Sequence, residues 1–287
     1  MRHAAFLLLV SLLPCIGGPS TIDSGSKYAY GANLGWVNCF SDGTNGAVIG
    51  EYVCSGYIYS ANVGWICLGN GSPANGIQYQ NNSASDFGVN LDPLGNLSGY
   101  AYGANIGWVA FESNGAPRVS LSTGVFAGSA WAANCGWISL SNATAYVQTD
   151  AVQQGALAPD GLPVAWLLSN FGTTNIDASA DPDHDGMSNL QEYLAGTDPN
   201  NGDDVLKITS FSISPVTASG GQPTVGWKST PSRFYYLQKA SNLGASNWVD
   251  SGFGLLTADG ASTARSFADT NYPNSFYRVQ AVRPLLR

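Results

Sequence analysis

The spacing of apolar and polar positions changes twice along the chain. From Tyr28 to Leu140 small and aromatic residues alternate with a period of two, a strand pattern broken by recurrent Asn-x-Gly turns. Between residues 162 and 195 the spacing becomes helical. Leu162-Pro-Val-Ala-Trp-Leu-Leu-Ser-Asn-Phe171 has Pro163 near its start and Gly172 just past its end, which predicts a short helix burying Trp166, Leu167 and Phe171. A second helix, Ser188 to Ala195, is predicted to group Leu190, Tyr193 and Leu194 and to stop at Gly196. Beyond residue 205 short β patterns return at Leu206 to Ser214, Thr224 to Lys228, Phe234 to Lys239, Trp248 to Val249, Ser266 to Phe267 and Phe276 to Val282.

The first alternating region repeats itself. Tyr28-Ala-Tyr-Gly-Ala-Asn-Leu-Gly-Trp36, Tyr57-Ile-Tyr-Ser-Ala-Asn-Val-Gly-Trp65, Tyr100-Ala-Tyr-Gly-Ala-Asn-Ile-Gly-Trp108 and Ser129-Ala-Trp-Ala-Ala-Asn-Cys-Gly-Trp137 are four versions of one nonapeptide, with Trp intervals of 29, 43 and 29 residues. Each predicts a hairpin, and the strand patterns Gly88 to Asp92 and Arg118 to Ser122 extend the repeat to about three strands. One unit cannot bury its aromatic face alone, so the units are expected to stack or face one another. Recurrence at one position marks Trp36, Trp65, Trp108 and Trp137 as packing residues, whereas Tyr30, Tyr59, Tyr102 and Trp131 form the candidate exposed stripe. Such a stripe suits sugar rings. Asn33, Asn62, Asn105 and Asn134 are read as turn residues that tolerate left-handed backbone.

Composition agrees with many strands and turns: 35 Gly, 14 Tyr and 8 Trp, with only 10% charged residues. Charge divides the chain further. Residues 21–150 carry a net −5, residues 151–204 a net −9 with no cation, and residues 205–287 a net +5. Those contrasts mark three modules. Ahead of them, Arg2 and His3 followed by an apolar run to Leu13 and by Gly17-Gly18 predict a signal peptide over residues 1–18, with lipidation of Cys15 a lesser alternative. No later run is long enough to cross a membrane as a helix, so an exported protein without a transmembrane segment is expected, secreted or held at the cell surface. Cys39, Cys54, Cys67 and Cys135 then invite disulfides, with Cys54–Cys67 favoured and Cys39–Cys135 dependent on the fold; a zinc site lacks the usual spacing.

The sharpest chemistry lies in Asp181-Pro-Asp-His-Asp-Gly-Met-Ser-Asn-Leu-Gln-Glu192. Asp181, Asp183 and Asp185 occupy positions 1, 3 and 5 of a calcium loop, Gly186 its turn, Met187 the position that offers a backbone carbonyl, Asn189 position 9 and Glu192 the closing position. Four formal negatives sit together, and no Lys or Arg lies between Arg118 and Lys207. Ca2+ is the expected counter-charge. With Asp160-Gly-Leu-Pro163 before it and Gly196-Thr-Asp-Pro199 after it, this stretch resembles the calcium repeats of secreted bacterial proteins related to dockerin and thrombospondin type 3 loops. The four nonapeptides resemble GW-type β-hairpin repeats, and the run from Trp227 through Tyr235, Trp248 and Phe276 to Val279 resembles the sandwich modules that accompany such calcium repeats. The loop lacks the second copy of a cellulosomal dockerin and the contiguous first helix of an EF-hand.

The expected architecture is therefore mainly β: a four-copy β-hairpin repeat module (21–150), a short helical calcium-binding spacer (156–204) and a C-terminal immunoglobulin/fibronectin-like β-sandwich (205–287). Outside the acidic loop no nucleophile–base pair, phosphate loop or nucleotide fingerprint is recognisable, and a net charge of −8 disfavours nucleic acid. The expectation is a noncatalytic surface or matrix protein, with cell-surface glycans or envelope proteins as partners. The rival readings are a carbohydrate-binding accessory protein and, behind it, a glycan-active enzyme with two carboxylates converging in space.

Overall fold

A computed structural model describes residues 19–42, 44–217, 220–244, 247–271 and 273–285. The expected signal peptide and Cys15 lie outside them. The protein is mainly β with two short helices and divides into two compact units, residues 1–155 and 156–286. Among the described residues no helix is long and apolar enough to cross a membrane.

Each nonapeptide of the first unit forms the hairpin its pattern predicts. The eight strands are β1 (Ile22–Gly31), β2 (Gly35–Asn38), β3 (Cys54–Ser60), β4 (Gly64–Asn70), β5 (Leu97–Gly103), β6 (Gly107–Phe111), β7 (Ser129–Ala132) and β8 (Gly136–Ser139). They pair antiparallel in chain order, and β8 returns to β1 through Tyr30↔Ser139 and Gly31↔Ile138. The sheet is thus a closed eight-stranded barrel, not a set of stacked or facing units. Two strands per copy build the ring. The additional strand Val89–Leu91 pairs with β5 outside it, and Arg118–Val119 pairs with Phe126–Ala127 as a separate ribbon.

Closure overturns the expected role of the tryptophans, while Tyr30, Tyr59 and Trp131 of the candidate stripe are exposed. An eight-stranded barrel is just wide enough inside for its own side chains to fill it. Ala29, Val37, Ile66, Ala101, Val109, Ala130 and Ile138 occupy that interior, all nearly inaccessible to solvent. Trp36, Trp65, Trp108 and Trp137 therefore stand on the outer face, 43–48% exposed, and are not the buried packing residues their recurrence suggested. Each leans on its cross-strand partner at centroid distances of 4.9–5.0 Å: Tyr30 on Trp36, Tyr59 on Trp65, Tyr102 on Trp108 and Trp131 on Trp137. Such edge-on pairs contribute roughly 0.5–1.5 kcal/mol each.

The four asparagines also differ from expectation. Left-handed backbone falls on the glycines, Gly35, Gly64, Gly107 and Gly136, at φ of 73–80°. The asparagine side chains instead link neighbouring copies. Asn62 Nδ2 donates to Leu34 O, Asn105 to Val63 O, Asn134 to Ile106 O and Asn33 to Cys135 O, at 3.0–3.1 Å, so the four bonds close a ring around the turn end of the barrel. Leu34, Ile106 and Cys135 plug that end. At the other end Ile22, Cys39, Cys54, Leu68, Phe111 and Val147 surround an apolar cavity of about 40 Å³.

The thiol pairs expected from the sequence do not form, because Cys39, Cys54 and Cys135 are free and buried. Cys67 pairs with Tyr57 on the outer face of its hairpin, while Cys54 points inward. Cys135 belongs to the turn end and Cys39 to the opposite end. Burial pushes the Cys39 and Cys54 thiols up to about 12, which keeps them protonated and unreactive.

The second unit begins with α1 (Val164–Phe171), which Gly172 ends at φ 68°, and α2 (Asn189–Ala195), which Gly196 ends at φ 76°. Ser188 caps α2 in a reciprocal box with Gln191. Seven strands follow: β9 (Ile208–Thr217), β10 (Gly220–Lys228), β11 (Phe234–Ala240), β12 (Val249–Asp250), β13 (Leu256–Thr257), β14 (Ser262–Ser266) and β15 (Phe276–Val282). Strands β9, β10 and β14 make one sheet and β11, β12, β13 and β15 another. Val225 and Trp227 from the first share a core with Tyr235, Leu237 and Leu256 from the second.

Helix α2 buries a different face from the expected one. Leu190 and Leu194 are exposed, while Asn189, Glu192, Tyr193 and Ala195 face inward. Tyr193 packs on Trp166 of α1, and the Arg283 guanidinium lies 4.6 Å over its ring. Arg233 donates to the carbonyls of Tyr193 (2.7 Å) and Leu194 (3.0 Å), satisfying the helix C-terminus with a cation where the dipole favours one.

Candidate metal centre

The acidic loop runs from Asp181 into the first turns of α2. No helix leads into it. Instead a turn at Asp177–Ala180 holds the start of the loop against its end: Asn189 N donates to Ala180 O (2.8 Å), Leu190 N to Ala178 O (3.0 Å) and Asn189 Nδ2 to Asp177 O (2.8 Å). The chain is thereby closed into a ring around the carboxylates.

Within that ring each aspartate divides its two oxygens. Asp181 Oδ2 accepts from Gly186 N (3.0 Å), Asp183 Oδ1 from Asp185 N (3.3 Å) and Asp185 Oδ1 from Met187 N (2.7 Å). These bonds shape the loop. The remaining oxygens, Asp181 Oδ1, Asp183 Oδ2 and Asp185 Oδ2, are buried without a hydrogen-bond partner, as are Asn189 Oδ1 and both carboxylate oxygens of Glu192. Ligand atoms of Asp181, Asp183 and Asp185 lie within 4.8 Å of one another. Glu192, fully buried, has its carboxyl pushed up to about 7, first by burial and then by the charges of Asp183 and Asp185.

Backbone geometry explains two of the intervening residues. Gly186 takes φ 95°, which a side chain rarely tolerates, and its N–H turns back to Asp181. His184, also left-handed at φ 63°, is exposed at position 4 and points away from the cluster. The segment after α2 covers the loop: a Cβ on Gly202 would sit 3.1 Å from Asp183 O and 3.7 Å from Asp185 Cβ. Lys228 ties this cover to β10 through Asp204 (2.9 Å).

Of the residues singled out in the sequence, Asp181, Asp183 and Asp185 bring their ligand atoms into one cluster. Asn189 and Glu192 bury side-chain oxygens without a hydrogen-bond partner, Glu192 near enough to feel the charges of Asp183 and Asp185, and Met187 N–H bonds to Asp185. Thr197 and Asp198 also stand near Glu192, outside the residues the loop spacing marks. Their signal was the Gly-Thr-Asp-Pro that follows the helix. The described ion pairs, Lys228–Asp204, Lys239–Asp269 and Arg265–Asp259, use none of the four acids of the loop. Chemically the cluster offers oxygens alone, with no thiol or imidazole, a donor set that suits a hard divalent cation over zinc or copper. The chain matches no protein-family model, no curated protein and no solved structure.

Proposed function

We propose that the protein is a noncatalytic, exported surface or matrix protein whose acidic loop binds one structural Ca2+. The reading rests on one observation: ligand atoms of Asp181, Asp183 and Asp185 gather within 4.8 Å of one another, and six oxygens of these residues, Asn189 and Glu192 are buried without hydrogen-bond partners. Buried polar groups are nearly always satisfied, and leaving one unpaired costs about 1–3 kcal/mol, more when it is charged. A cation supplies the missing partner for all of them. Asp181, Asp183, Asp185 and Glu192 would hold it by carboxylate oxygens, Met187 by its carbonyl and Asn189 directly or through water.

The role of the ion is structural rather than regulatory. Sensor loops come in pairs and open a groove between helices. This loop is single, and its exiting helix is fixed to the sheets of the same unit by Arg233 and Arg283. Calcium then fastens residues 177–204 to that two-sheet body, which we read as an immunoglobulin- or fibronectin-like scaffold. The test is limited proteolysis with and without EGTA. Cleavage between Asp160 and Asp204 should accelerate at least tenfold on chelation and slow again when calcium, but not magnesium, is restored. An unchanged cleavage rate contradicts the reading.

A further inference from the structure

The third nonapeptide carries a feature the other three lack. The longer interval before it, residues 72–87, folds beside its aromatic pair and encloses a groove of about 520 Å³ on the outside of the barrel, lined by Asn81, Asn82, Ser83, Phe87, Tyr100 and Trp108. That volume lies within the usual range for small-ligand sites. Phe87 meets Trp108 edge-on at 5.1 Å and Tyr102 at 6.3 Å, so three rings brace the indole where the other copies have only their own strand neighbours. Trp108 nevertheless stays 43% exposed and Tyr100 36%.

The wall facing these rings is rigid. Asp86, buried, accepts from Ala74 N and Gln80 N, both at 3.1 Å. Asn90, also buried, accepts from Tyr79 N (2.9 Å) and donates to Tyr79 O (3.0 Å), and Tyr79 OH accepts from Gly71 N (2.6 Å). Asn81 Oδ1 accepts from Gly88 N at 3.0 Å. The groove therefore exists before any ligand arrives, and the ordering cost of binding is small. On its rim, among the described residues, the exposed Asn82 amide has no intramolecular partner and the Ser83 hydroxyl has only that of Ser85.

We infer that this groove binds a neutral saccharide, one pyranose ring stacking on Trp108 with Tyr100 and Phe87 beside it, and its hydroxyls taken by Asn82 and Ser83. The chemistry selects the class. A sugar ring offers an apolar C–H face to an aromatic floor and a rim of hydroxyls to amides and alcohols. No charged residue lines the groove, and the barrel region is net negative, so a phosphate or sulfate finds no partner there. The site is separate from the calcium loop and does not depend on it.

Calorimetric titration of the full chain with cellohexaose, laminarihexaose, chitohexaose and mannohexaose tests this, with a heparin hexasaccharide as the anionic control. One neutral oligosaccharide should bind one-to-one, better than heparin, and equally in calcium and in EGTA. Trp108→Ala should weaken it roughly tenfold or more, and Asn82→Ala, a substitution at an exposed position, by about threefold. Trp36→Ala, the same ladder position in the first copy, should change affinity less than about twofold. Absence of binding by the folded protein to all four sugars, tighter binding of heparin, or equal losses for Trp36→Ala and Trp108→Ala overturns the inference. EGTA-sensitive binding overturns the claimed independence from calcium, whereas failure of the calcium reading leaves the groove intact.

Discussion

At the turn end of the barrel four asparagine amides each find a carbonyl of the neighbouring repeat, whereas in the acidic loop of the second unit six buried oxygens find nothing. Both regions bring similar polar groups together in a ring. In the barrel donors and acceptors alternate, so the ring satisfies itself. In the loop every free group is an acceptor, and four residues are acids. The difference separates a structure complete in its own covalent chain from one whose electrostatics call for an added cation.

The largest effect that distinguishes the two regions is calcium removal. A calcium ion bound there, with free calcium about a thousandfold above Kd, would contribute about 4 kcal/mol to the second unit, and chelation would withdraw it. Hydrogen exchange should show residues 177–204 losing protection in EGTA while strands β1 to β8 keep theirs. Ile66→Ala tests the converse. Ile66 is wholly buried in the barrel, so its truncation should cost about 3 kcal/mol there and leave calcium affinity unchanged. Loss of calcium binding in that variant would mean that the two regions are not independent.

A smaller effect concerns acid. Burial alone would raise Asp269, but hydrogen bonds from Ser275, Tyr277, Lys239 and Asn271 outweigh it and hold the carboxyl at about 2, below its ordinary 3.8. A carboxyl depressed by folding contributes stability that is complete above the ordinary value and is lost as pH falls through the folded one. Asp269→Asn should therefore cost the second unit about 2 kcal/mol at pH 7, and the gap should close between about pH 4 and pH 2. Urea unfolding followed across that range checks it; a gap independent of pH would assign the loss to packing. Smallest of all, Asn62→Ala removes one member of the asparagine ring and should lower barrel stability by about 1 kcal/mol without affecting calcium binding.

Much of the local structure was legible because its signals are local. Alternation around Asn-x-Gly located all four hairpins, and Pro163, Gly172, Ser188 and Gly196 bounded both helices to within two residues. The loop's spacing singled out three aspartates whose ligand atoms the fold gathers, together with Asn189 and Glu192, whose oxygens it buries without partners. Closure of the barrel was not legible, since two residue pairs between β1 and β8 decide it and lie over a hundred positions apart. Without closure, recurrence showed only that the four tryptophans are equivalent, not which face they share. The clue was present: only the Ala, Val and Ile positions between them are small enough to fill an eight-stranded interior. Likewise the two thiols of one hairpin cannot meet, because Cys67 shares the face of its partner Tyr57 and Cys54 that of Ile58. In α2 the spacing of leucines suggested one face, but Asn189, Glu192, Tyr193 and Ala195 face inward and leave Leu190 and Leu194 in solvent.

If the partnerless oxygens of the second unit are a cation site, calorimetric titration of calcium into metal-stripped protein should give one calcium per chain and, for Glu192→Gln in a chain that keeps its fold, an affinity lower by roughly a hundredfold. No binding at millimolar free calcium, or binding that Glu192→Gln leaves unchanged, would contradict that reading.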